Sequence, residues 1–172
     1  GGLVYSFGVA LLEDKIFSIV ELIRALQVST RSNGPRVFTV PLHDTKAISL
    51  LIFTKVGSRY ESKTINGASH FIEHLMFKGT KRRPNSLLIT QELDGVGAQY
   101  NAYTSKEVTC YYIKVNAEHT ELAADILGDI LQHSTFPLKE MDRERGAIIE
   151  EIKMYEDNPL LAINDLSEQA LL

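Results

Sequence analysis

Residues 16–28, IFSIVELIRALQV, carry apolar side chains at 16, 19, 20, 22, 23, 26 and 28, a spacing nearer the helical repeat than strict alternation, and predict a helix. STRSNGPR follows, punctuated by Asn33-Gly34-Pro35. RVFTVPL and KAISLLIFTKV, rich in β-branched and aromatic residues, then read as two strands joined by a turn at His43-Asp44-Thr45. GSRYESKTING is polar and bounded by glycines, hence a loop, and ASHFIEHLMF after it has the length and residue types of a helix ending near Gly79. SLLITQELDGVG predicts a helix capped by Ser86 and stopped by Gly95, and AQYNAYTSKEVTCYYIKV returns to strand chemistry. Two further helices are expected, from about Glu118 to Gln132 and from about Leu138 to Asp157, with Asn158-Pro159 breaking the second. Helices and strands are mixed without internal repeats or low-complexity segments, which gives an α+β class.

Composition narrows the partners. The chain has 172 residues, enough for one sizeable domain, and its 44% apolar and 23% charged content excludes fibrous and disordered classes. Net charge is −4 and the densest basic run, Lys81-Arg82-Arg83, is short, so nucleic acid is not an expected partner. No stretch approaches the roughly 18 apolar residues of a membrane span, and Glu13, Asp14 and Lys15 interrupt the first apolar run, so no membrane partner is expected either. The lone Cys110 can form no internal disulfide, and the N-terminus lacks the basic and then apolar regions of a secretory signal; a reducing, cytoplasmic location is expected.

Against this ordinary background HFIEH, His70 to His74, stands out, because polar groups set among Phe, Ile and Leu need partners. On a helix His74 lies about 40° round from His70, and Glu73 about 60° to the other side, so all three share one face. Residues four apart have Cβ atoms ~5–6 Å apart, close enough for two imidazoles to grip one ion while the carboxylate between them acts on a bound water. The order is the reverse of the commoner H-E-x-x-H zinc helix.

A catalytic zinc usually takes three protein ligands, so a third is required. RERGAIIEEIKMYE supplies the candidates. With Met141 at zero, Ile148, Ile152 and Tyr155 lie within about 40° and define the expected core side of that helix. Glu151 falls at about −80° and Glu144 at about −60°, on one edge of that face, whereas Glu150 at about 180° points away. Either Glu151 or Glu144 can reach inward, one to ligate and the other to orient or balance charge. GVG at 95–97 lacks the third glycine of a dinucleotide fingerprint, and His43, His119 and His133 are isolated, structural or solvent-facing residues.

Taken together, NGPRVFTVPL, GSRYES, GASHFIEHLMFKGTKRRP, NAYTSKEVTCYY and ERGAIIEEIKMYEDNP resemble, in the same order, the pitrilysin-type (inverzincin) zinc peptidases, nearest to the bacterial processing-peptidase-like members. The resemblance implies an antiparallel-dominated sheet with helices packed on one face, as in one of the two homologous halves of such enzymes. It divides the chain into an N-terminal segment, 1–32, containing the first helix, and a zinc-binding catalytic half-domain, 33–172, incomplete at its C-terminal end. In that family the third ligand lies 77 positions beyond the second histidine, which falls on Glu151. The resemblance makes Glu73 the general base and Glu144 a supporting carboxylate. It implies one Zn²⁺ per chain and endopeptidase action on extended or unfolded peptides, bound by strand addition at Asn101 and Ala102. It also implies a second homologous half-domain or partner subunit; some relatives keep the fold only as non-catalytic partner or core subunits. GLVYS, Gly2 to Ser6, is similar to the end of a motif of the family's second half whose tyrosine orients substrate, which makes Tyr5 a further candidate, although no arginine precedes it.

Overall fold

A computed structural model describes residues 5–8, 26–32, 34–42 and 45–159, together with 163 and 167. Among the described residues six strands form one sheet: β1 (Tyr5–Gly8), β2 (Gln27–Thr30), β3 (Arg36–Thr39), β4 (Ala47–Thr54), β5 (Gln99–Thr104) and β6 (Thr109–Asn116). Their order is β2-β3-β1-β4-β6-β5, and every neighbouring pair is antiparallel except β1 with β3. Among the described residues the α-helices are α1 (Ala68–Met76), α2 (Ser86–Asp94), α3 (Thr120–His133) and α4 (Leu138–Glu156). The α+β reading holds.

Register explains the core. Ile48 faces Val115, Leu50 faces Ile113 and Ile113 faces Tyr100, and Ile52 faces Tyr111, which faces Ala102. With a side-chain period of two, these rows fall on one face of the sheet. They pack against Ile89 and Leu93 of α2 and Ile126, Leu127 and Ile130 of α3. Each such buried side chain contributes about 1.5–3 kcal/mol, so this half of the chain anchors what it carries.

Several expectations are revised. Gln27 and Val28, expected at the end of a helix, belong to strand β2, paired with Thr39 and Phe38; residues 16–25 of that helix lie outside the described residues. The tertiary partner strand overrides a helical apolar spacing. Strands from residues 1–32 thus join the same sheet as the rest. β1 lies between β3 and β4, so the runs flanking His43 are not paired with each other, and His43 and Asp44 are outside the described residues. The run 98–115 is a hairpin, turned where Ser105 Oγ accepts from Val108 N (3.1 Å) and its N–H bonds Val108 O (2.8 Å). Asn85, not Ser86, caps α2: extended at φ −148°, it accepts from Leu88 N through Oδ1 at 3.1 Å.

The connection after α1 is fixed from both sides. Gly79 has φ +149°, and a Cβ there would lie 2.7 Å from Pro84 O, so only glycine fits the turn. Thr80 bridges to Ser134, whose Oγ bonds Ile130 O (2.6 Å) and Met76 O (3.2 Å). Beneath it Arg83, its side chain 7% exposed, spans Asp129 (2.8 Å), Asp125 (2.9 Å) and Glu92 (2.8 Å). Asp129, fully buried, also accepts from Thr80 Oγ1 (2.7 Å) and meets His133 Nδ1 (3.1 Å). His133 is therefore structural.

Candidate metal centre

The helix carrying HFIEH begins without a side-chain cap of its own, because its N-cap is Gly67 in the left-handed region. Glu61 replaces it from the preceding loop: Oε2 accepts from Gly67 N (2.7 Å) and Oε1 from Ser69 N (2.6 Å). Burial opposes ionisation of this carboxyl, but the bonds from Ser69 and Gly67 outweigh it and hold its pKa below the ordinary value. Two orphan donors are thereby satisfied one turn before His70.

α4 packs across α1. Its inward edge is not the apolar stripe expected from the wheel. Glu144 is its most buried described residue, at 6% exposure, with Met141, Ile148 and Glu151 half-buried, whereas Ile152 and Tyr155 are 50% and 48% exposed. The reason is the neighbour: α4 lies against the histidine face of α1 and not over the apolar sheet, so carboxylates with partners there are the groups that gain by burial.

This brings His70, His74 and Glu151 together. His74 Nε2 and His70 Nε2 are 3.1 Å apart, and Glu151 Oε2 lies 3.4 Å from the first and 3.7 Å from the second. A tetrahedral zinc with bonds of about 2.0–2.1 Å separates its ligands by about 3.3–3.4 Å. The edges of the triangle, 3.1, 3.4 and 3.7 Å, lie close to that separation, so the three atoms could hold such an ion. Among the described residues no other three His, Cys, Asp or Glu side chains converge in this way. Glu150, as expected, is exposed and paired with Lys153 (2.7 Å) on the far side of the helix.

Glu144 settles the tautomer of His74. Its Oε2 meets His74 Nδ1 at 3.2 Å, and its Oε1 meets Lys78 Nζ at 2.7 Å. Burial works against the charged form, but the bonds from Lys78 and His74 prevail and lower its pKa. A carboxylate only accepts, so Nδ1 is the donor toward Glu144, and Nε2 is the ring nitrogen left facing Glu151 and His70. Glu73 sits beside this triangle, its Oε2 accepting from Thr104 Oγ1 at 3.2 Å. Thr104 ends the row that runs from Thr54 through Thr109, and Thr109 Oγ1 is itself tied to Val56 O (2.9 Å).

An open cleft of about 980 Å³ joins the centre to β5, lined by Glu73, Asn101, Ala102, Thr104, Ile152 and Tyr155 among others. Among the described residues β5 is the last strand of the sheet, and no described strand pairs with its outer edge. The carboxamide of Asn101 covers part of it, Oδ1 accepting from Ala102 N at 2.9 Å. Tyr5 is not brought here. β1 lies three strand spacings from β5, about 14 Å, with β4 and β6 between them, because its backbone pairs in the sheet interior. Its side chain lies outside what is described.

Lys78, Thr104 and Glu61 join the site without being among the residues the motif spacing singles out. Lys78 had a signal, since it lies four residues after His74, just past the end of α1; the other two reach the site through loop and strand placement that no local spacing encodes.

Residues 36–171 match the family described as Insulinase (Peptidase family M16). The chain is 43% identical over 141 residues to the uncharacterised zinc protease YmxG of Bacillus subtilis, covering 82% of this chain and 34% of that protein. It is 42% identical over 130 residues to a probable mitochondrial-processing peptidase subunit beta of Arabidopsis thaliana, covering 76% and 24%. Of solved structures, a protease from Helicobacter pylori superposes with a TM-score of 0.73 at 28% identity over 80% of this chain and 33% of that one. The periplasmic protease PqqL of Escherichia coli gives 0.73 at 29%, over 82% and 16%. The chain thus spans about a third or less of the length of these relatives. With the match covering most of its length, the chain belongs to the insulinase family, peptidase family M16.

Proposed function

We propose that this chain carries the metal-binding half of a zinc metalloendopeptidase acting on extended or unfolded peptides. The observation that supports it most is the triangle of His70 Nε2, His74 Nε2 and Glu151 Oε2, whose edges suit one tetrahedral ion. These three residues would hold one zinc per chain. Zinc supplies Lewis acidity toward the water and the carbonyl of an amide bond.

The remaining steps belong to side chains. Glu73, with Oε2 held by Thr104, takes a proton from the attacking water through Oε1 as the water oxygen bonds the scissile carbon. The proton then passes to the departing amine nitrogen as the C–N bond breaks. Glu144 keeps His74 in its ligating tautomer. An extended peptide added along β5 would hydrogen-bond the backbone around Asn101 and Ala102, taking over the N–H of Ala102 from the Asn101 carboxamide. Such binding reads backbone and suits unfolded substrates. The open cleft and the exposed Ile152 and Tyr155 beside it fit closure by a second homologous half-domain or partner subunit.

The test measures zinc per chain, then chelator-sensitive cleavage of an unstructured peptide by the full-length protein and its Glu73→Gln variant. About one zinc per chain is expected, kept by Glu150→Ala and weakened by Glu151→Ala. Glu73→Gln should retain zinc and lose roughly 10²–10⁴-fold in kcat. Undiminished cleavage by zinc-loaded Glu73→Gln would refute the mechanism. Zinc bound without any cleavage by the full-length protein would favour a non-catalytic subunit.

A further inference from the structure

Lys78 stands where α1 ends, four residues after His74, with its backbone N–H bonded to Leu75 O at 3.0 Å. Its ammonium lies 2.7 Å from Glu144 Oε1, while the other oxygen of that carboxylate faces His74 Nδ1 at 3.2 Å. The Glu144 side chain is 8% exposed. A carboxylate so buried is costly unless both oxygens are bonded, and a single imidazole N–H satisfies one of them. Lys78 is also placed by more than its own helix. The very next residue is Gly79, which makes the tight turn against Pro84, and the loop beyond is bolted to α3 through Thr80, Ser134 and the Arg83 cluster. Charge gives a second reason. Glu73, Glu144 and Glu151 gather three negative charges; a divalent cation leaves one uncompensated, and Lys78 supplies the matching positive charge.

We propose that Lys78 is a positioning residue for the metal centre, holding Glu144 so that Glu144 in turn holds His74 in the ligating tautomer and orientation. The inference rests on the zinc reading above and deepens it. Its sign is what makes it decidable. If Lys78 mattered only as a nearby positive charge, it would repel a cation, and removing it would tighten zinc binding. If it holds the carboxylate that holds the ligand, removing it weakens binding, by the roughly 10–100-fold seen when outer partners of metal ligands are lost.

The experiment measures zinc affinity of the whole 172-residue chain by competition with a chromophoric chelator, for the native sequence, Lys78→Met, Lys78→Arg, Glu144→Gln and the Lys78→Met/Glu144→Gln pair. Lys78→Met should bind roughly 10–100-fold more weakly, and Lys78→Arg, which keeps charge and donors, should stay within about threefold of native. The double variant should bind no more weakly than Glu144→Gln alone, since Lys78 acts through Glu144. Equal or tighter binding by Lys78→Met would overturn the proposal, and so would an equal loss in both backgrounds. If circular dichroism shows Lys78→Met to be unfolded, Lys78→Gln, uncharged and one atom shorter, replaces it in the same comparison. A native chain that binds no zinc overturns the metal-centre reading along with this one; a native chain that binds zinc while Lys78→Met binds it equally overturns only this one.

Discussion

Replacing Arg83 by Met keeps most of the buried stem and removes the guanidinium, leaving Asp129, at 0% side-chain exposure, without its cationic partner. Breaking a buried pair on one side costs about 3–5 kcal/mol. Asp129 keeps Thr80 Oγ1 and His133 Nδ1 as partners, which puts the loss at the lower end. The other two acceptors, Glu92 and Asp125, are each 40% exposed, and such pairs are worth at most about 1 kcal/mol. A total of about 3–4 kcal/mol follows, a large part of the 5–15 kcal/mol typical of a whole domain. For a chain of this size it lowers Tm by about 6–16 °C. Urea unfolding monitored by far-UV circular dichroism measures it directly, with Arg82→Met as the control. Arg82 makes two bonds to Asp125, at 2.6 and 2.9 Å, but is more than half exposed, so its loss should cost far less than that of Arg83. Equal, small effects of the two substitutions at unchanged m-value would refute the argument that burial, and not the number of ion-pair contacts, gives the Arg83 cluster its weight.

Two further outcomes test how the helix carrying HFIEH is framed. Glu61→Gln keeps one acceptor oxygen but removes the charge and leaves either Gly67 N or Ser69 N without its carboxylate partner, and should cost about 0.5–2 kcal/mol at neutral pH. Because the folded state lowers the pKa of Glu61, the native advantage is full above the ordinary glutamate value, shrinks as pH falls below it and is gone beneath the lowered folded value. Urea titrations of both chains at pH 7 and pH 3 check this, and a difference that grows on acidification would contradict it. Gly79→Ala combines a φ of +149° with a Cβ 2.7 Å from Pro84 O. Strained backbone alone costs about 1–3 kcal/mol, so a loss of at least about 2 kcal/mol is expected, and one below about 0.5 kcal/mol would mean that the turn relaxes freely.

Much of this protein is legible without coordinates. HFIEH on a helix, the edge position of Glu144 and Glu151, the outward Glu150 and the mixed α+β class all follow from local periodicity, because helical and strand repeats fix which residues share a face. The family resemblance points to Glu151 in preference to Glu144 as the proposed ligand, and the distances support that proposal: Glu151 Oε2 lies 3.4 and 3.7 Å from the two Nε2 atoms, while Glu144 Oε2 lies 3.2 Å from Nδ1 of His74. Only tertiary structure could decide which face of α4 turns inward. Its wheel offers an apolar stripe and a carboxylate edge about 60–80° apart, and the neighbour across the interface, histidines and a lysine in place of an apolar sheet, selects the carboxylates. The same holds for strand identity at Gln27 and Val28, for the hydroxyl that Thr104 brings to Glu73, and for the placement of Tyr5 deep in the sheet, away from the cleft. Each depends on a partner distant in the chain, and a sequence encodes spacing along itself far more directly than it encodes what will be found opposite.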